Sequence, residues 1–184
     1  MSDTIIDLQK RDHMLLDELL QRHERATPIG RRDTFREIVN LVTTHAFAEE
    51  TVLFPFSRWV LTSAEAITSE LASRHQRINE LLKEMDGFSP GEAGFETRAR
   101  ELFPLLRADV RDEEERLLAA LAQHLDREEL TRLGTTWATA KRGAPNRAHS
   151  GISRRPPGNL LADIPLFFVD RMRELLARWR HAPQ

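Results

Sequence analysis

The sequence predicts an all-α fold: an antiparallel, up-down-up-down four-helix bundle followed by a C-terminal helical extension. Three observations predict the class. Leu, Ala, Glu and Arg dominate long stretches, Gly and Pro gather at a few points, and no run shows strand-like alternation. Short links between long helices make antiparallel neighbours the simplest packing.

The first helix is expected from Asp3, as N-cap, to Arg25, with Ile6, Leu16 and Leu20 as its apolar stripe and Thr27-Pro28-Ile29-Gly30 as its stop. The second should start near Asp33, with Glu37 near the capping-box position, and run to Leu61, bent at Pro55. Its stripe is Ile38, Val42 and Val52. The third, Ala64 to Met85, carries Ile67, Leu71, Ile78 and Leu82 and is closed by Asp86-Gly87. After the loop Phe88 to Gly94, the fourth runs from Phe95 to Leu125 on Leu102, Leu106, Leu117 and Leu121, with Pro104 marking a kink or a later start. A shorter helix, Arg127 to Arg142, follows Asp126 as N-cap.

Residues 1–142 are therefore expected to form the bundle, and 143–184 a basic Pro/Gly-rich strap and a last helix packed on it. The acid-free composition from Lys141 to Leu161 reads as extended chain. Asp163 caps the last helix, whose apolar face is Leu166, Met172, Leu175, Leu176 and Trp179.

Composition narrows the chemistry. The formal charge of −2 gives no general pull toward nucleic acid or anionic lipid, so neither is expected as a partner. With no signal-peptide pattern and no apolar run of membrane-spanning length, a cytoplasmic protein is expected. The chain has no cysteine, so any metal must be held by imidazole and carboxylate, which suits iron, manganese or zinc.

The apolar stripes are interrupted by polar residues. His45 and Glu49 fall between Val42 and Val52, His75 between Leu71 and Ile78, Asp109 and Glu113 between Leu106 and Leu117, and His13 shares a stripe with Leu16 and Leu20. His45/Glu49 and Asp109/Glu113 are each one helical turn apart, so each pair can grip a ligand from one face. At about 1.5 Å per residue, His13 lies about 18 Å before the first turn and His45 a like distance after it; His75 and Asp109 return to the same level. Burying an isolated carboxylate costs several kcal/mol, so three acids and three imidazoles on one seam call for a cation.

Asp12-His13-Met14-Leu15-Leu16, the run His45-Ala46-Phe47-Ala48-Glu49-Glu50-Thr51-Val52-Leu53-Phe54-Pro55 and the run Asp109-Val110-Arg111-Asp112-Glu113-Glu114-Glu115 resemble the hemerythrin HHE cation-binding family over residues 5 to 125. The resemblance implies a hemerythrin-like four-helix bundle with a non-haem di-iron centre. In it His13, His45 and His75 match histidine ligands, and Glu49 and Glu113 match carboxylates that bridge two metals. The sequence departs from the family at Asp109, where histidine is usual, and at Asn79, where the oxygen carriers have a further histidine. A more anionic donor set favours oxidised iron or manganese over reversible oxygen carriage.

The expected partner is oxygen, nitric oxide or peroxide, bound for sensing, redox protection or iron handling. The competing reading is a helical interaction module that keeps the bundle and has lost full metallation. A lone inward histidine is often a hydrogen-bonded core residue, and Asp109 could instead pair with Arg74 or Arg77. Glu50, Asp112, Glu114 and Glu115 read as a solvated acidic face, and His23 and His124 as helix-end residues.

Overall fold

The computed structural model describes residues 3–144 and bears out the all-helical bundle. The expected strap beyond residue 144, His149 and the last helix lie outside the described residues.

Helix α1 (Ile5–Arg25) begins one residue later than Asp3 would place it. Thr4 is the N-cap, and a capping box joins the Asp7 N–H to Thr4 Oγ1 (3.2 Å) and the Thr4 N–H to Asp7 Oδ2 (2.9 Å). Ile5 is fully buried, whereas Ile6, expected in the stripe, is partly exposed.

Helix α2 (Pro28–Ala48) corrects the reading of Thr27-Pro28-Ile29-Gly30 as a stop with a new start at Asp33. Thr27 caps the helix by accepting the Gly30 N–H, and Pro28 stands in the first turn, where its missing N–H and fixed φ do no harm. Asp33 is instead an exposed interior residue paired with Arg36. The link between α1 and α2 is only Ala26-Thr27.

The second rod does not continue as an α-helix to Leu61. A wide π turn, π1 (Glu49–Leu53), leads into α3 (Phe54–Val60), with the Phe54 N–H donating to the Glu49 carbonyl. Pro55 supplies the reason: it cannot donate to the carbonyl one α-turn back, and its ring would strike it, so the turn widens.

Helix α4 (Ala64–Met85) has the expected bounds, although Ala64 and Thr68 rather than Ile67 are buried in its first turns. The turn to α5 (Ala93–Asp112) passes Gly91 at φ +97°, a conformation suited to glycine. Pro104 sits within α5 and marks no start. A second wide turn, π2 (Glu113–Leu118), precedes α6 (Ala119–His124).

Helix α7 (Arg127–Gly143) is capped by an Asp126/Glu129 box and packs on α1, α2 and π1. A Cβ at Gly134 would lie 2.8 Å from the Ile5 nitrogen, so glycine permits the close approach. Lys141 meets Asp12 further along both helices, so α7 runs parallel to α1. Lys141 and Arg142, where the acid-free composition begins, close this helix as its expected span of Arg127 to Arg142 required.

An apolar core of Leu16, Leu19, Leu20, Ile38, Leu41, Leu81, Met85, Phe95, Leu102 and neighbours fills the half of the bundle nearer the α1–α2 turn. The polar seam lies at the level where this core ends.

Candidate metal centre

All six singled-out residues meet in the bundle interior. Glu49 is 0% exposed, Glu113 2%, His75 3%, His13 5% and Asp109 7%. The His45 side chain is 12% exposed. With α2 starting at Pro28 rather than Asp33, more residues separate His45 from the α1–α2 link than separate His13 from it, yet both rings reach the same Glu113 carboxylate.

The cluster has two halves joined by two carboxylates. Glu113 Oε2 lies 3.0 Å from His13 Nε2 and 3.8 Å from His45 Nε2, while its Oε1 lies 3.6 Å from His75 Nε2. Glu49 spans the same gap, with Oε1 3.2 Å from His45 Nε2 and Oε2 3.5 Å from His75 Nε2. Asp109 Oδ2 lies 3.2 Å from His75 Nε2, and its Oδ1 lies 3.3 Å from Arg74 Nη1. Asp109 therefore belongs to the cluster and also makes the alternative ion pair, with Arg74 and not Arg77, which pairs with Glu101.

Donor atoms within 4.8 Å of one another form two triads, His13/His45/Glu113 and Glu49/His75/Glu113; Asp109 is in neither. Both wide turns begin at a spanning carboxylate, Glu49 in π1 and Glu113 in π2. Such turns often mark functional sites.

Sequence reasoning missed the outer carboxylates. Asp12 Oδ2 lies 2.8 Å from His45 Nδ1, Glu50 Oε1 lies 3.0 Å from His75 Nδ1, and Glu114 Oε1 lies 2.7 Å from His13 Nδ1. Each histidine is thus held at Nδ1 with Nε2 turned inward, the arrangement that orients metal-binding imidazoles. Glu50 and Glu114 had been read as solvated; their signal was adjacency to Glu49 and Glu113. Asp112 likewise holds Arg74 at 2.6 Å, whereas Glu115 is exposed as expected.

Protonation follows from this geometry. Burial by itself would lower the His45 and His75 pKa, yet Glu49 and Asp12 around His45, and Asp109, Glu113 and Glu50 around His75, raise both well above the ordinary value of 6.5. His13 is also raised against its burial, by Glu113 and Glu114. Burial, then repulsion from Glu113, raises Glu49; burial raises Asp109. Glu113 is held well below 4.5 despite burial, because three imidazoles surround it.

The donor set fits a cation. His13 Nε2, His45 Nε2, both Glu49 oxygens and Glu113 Oε1 are buried without a hydrogen bond of good geometry. Orphaned buried groups of this kind cost free energy that a cation would offset. A cavity reaches the cluster between apolar walls that include Leu16, Leu41, Val42, Ile78, Leu106 and Val110, with Asn79 also lining it.

Fold and site together define a helical bundle with a histidine–carboxylate cluster in its interior. The chain belongs to the family described as the hemerythrin HHE cation binding domain, whose model matches residues 4–131. It is 22% identical over 136 residues to an uncharacterized hemerythrin-like protein of Schizosaccharomyces pombe, covering 73% of this chain and 67% of that protein. It is 32% identical over 141 residues to a DNA nickase of Nostoc sp., covering 74% of this chain but 39% of that protein. No solved structure matches. Among the described residues no helix is long and apolar enough to cross a membrane.

Proposed function

We propose that this chain is a non-haem di-iron protein in which His13 and His45 serve one metal, His75 and Asp109 the other, and Glu49 and Glu113 bridge them. Membership of a cation-binding family supports metal binding in general. The observation that carries the finer reading is the pairing of Nδ1-tethered histidines with unpartnered Nε2 and carboxylate atoms facing one another. Manganese or zinc suits the same donors less specifically.

When bound, iron would supply redox chemistry and an exchangeable coordination position. The protein's own part is to orient the donors through the outer carboxylates, and to present beside them a cavity with largely apolar walls. Oxygen, nitric oxide or peroxide fits such a cavity, which supports a role in sensing, redox protection or iron handling. The activity in the Nostoc protein's name stays with that protein, of which this chain spans 39%.

Metal analysis after expression with iron, with an absorption spectrum in the oxo-to-iron charge-transfer region, tests the reading. Two irons per chain with that absorption is the expected result. Absence of stoichiometric metal overturns it in favour of an interaction module, a reading that the Asp109–Arg74 ion pair supports.

A further inference from the structure

The bundle proper does not complete the surroundings of His45. Asp12 Oδ2, which holds His45 Nδ1, is also contacted by Lys141 Nζ from α7. Lys141 lies over the Trp137 ring, 5.4 Å from its centroid, and Trp137 meets the His45 ring edge-on at 5.5 Å. The Asp12 and Lys141 side chains are only 12% and 24% exposed, so solvent screens the contact weakly. Among the described residues, neither Glu50 nor Glu114 has a comparable cation, so the three outer carboxylates are not equivalent.

We infer that Lys141 is a positioning residue of the metal centre, acting through Asp12 to moderate the donor strength of His45 and thereby raise the reduction potential of the bound iron. This rests on the di-iron reading above. The physical basis is a shared oxygen: a carboxylate on Nδ1 makes an imidazole a stronger donor, and a lysine on that same oxygen draws its charge away. Removing the lysine leaves a fuller anion on His45, which favours the oxidised metal.

The test compares iron-loaded parent, Lys141→Met, Lys141→Arg, Asp12→Asn and the Lys141→Met/Asp12→Asn pair by redox titration, with iron content and thermal midpoint measured on the same samples. Lys141→Met should raise the oxidised-to-reduced ratio at fixed potential by about tenfold, a shift of about 59 mV toward negative potential for one electron. Lys141→Arg should stay near the parent, and the Lys141→Met effect should vanish in the Asp12→Asn background. Unchanged potentials with altered thermal midpoints would overturn the inference and leave Lys141 a packing residue. Persistence of the shift without Asp12 would also overturn it. Should Lys141→Met fail to fold, Lys141→Gln answers the same question. A parent without iron sinks the di-iron reading itself, which iron content separates from failure of the lysine's role alone.

Discussion

Four inward-facing histidines divide between two environments, and the difference shows what makes an imidazole available to a metal. His23, 4% exposed, sits near the α1–α2 turn against Phe35, Phe95 and Phe103, with Thr34 Oγ1 3.2 Å from its Nδ1. Burial lowers its pKa. His13, His45 and His75 are as deeply placed or nearly so, yet face carboxylates at both ring nitrogens. Their pKa values are raised. Depth in the core is common to both sets; charge complementarity separates them.

The largest effect that could break this contrast is loss of a spanning carboxylate. Glu113→Ala removes a group shared by both triads, and we expect it to abolish stoichiometric iron uptake, measured by metal analysis. Iron retained at the parent level would show that the two halves do not depend on Glu113. Glu114→Ala and Glu50→Ala leave every inner donor in place and should weaken iron binding by about 10–100-fold, read by competition with a chelator. Affinity equal to the parent's would return these residues to the solvated face.

Titration should distinguish the two environments in opposite directions. In the metal-free protein the folded chain holds more protons on His45 and His75 than the unfolded chain does above pH 6.5. Their contribution is complete below that value and lost as pH rises through the folded pKa values. His23 binds fewer protons folded than unfolded, so its environment costs stability as pH falls below 6.5. The metal-free thermal midpoint should therefore decline on the alkaline side. The iron-loaded protein should not show that decline, since the metal takes deprotonated imidazoles. Parallel pH profiles for loaded and metal-free protein would count against ligation by these histidines.

The smallest effect is expected at His23. His23→Leu should leave iron content unchanged and alter stability by no more than about 1.5 kcal/mol, the scale of one net hydrogen bond, measured by chemical denaturation. Loss of iron in this variant would erase the distinction between the two sets.

Much of the bundle was legible because apolar periodicity and end signals are local. Ala64–Met85 and the Asp126 cap follow from residues within a turn or two of each boundary. Where two local signals competed, the reading failed: Thr27-Pro28 can end one helix or begin the next, and the structure uses it to begin α2. The width of π1 and π2 was not legible, although Pro55 pointed to a disturbance in the first. His23 was placed at a helix end by its position, but its ring turns into an aromatic cluster drawn from α2 and α5.

From the sequence alone came the helical class and the six polar interruptions of apolar stripes, since both depend on the helical repeat and on the cost of burying charge. Tertiary structure alone decided which carboxylate meets which imidazole. Asp12 stands beside His13 in the chain yet serves His45, and Lys141, singled out by nothing in the sequence, reaches Asp12 from a parallel helix. Such pairings depend on the rotation and relative height of packed helices, which no local pattern encodes.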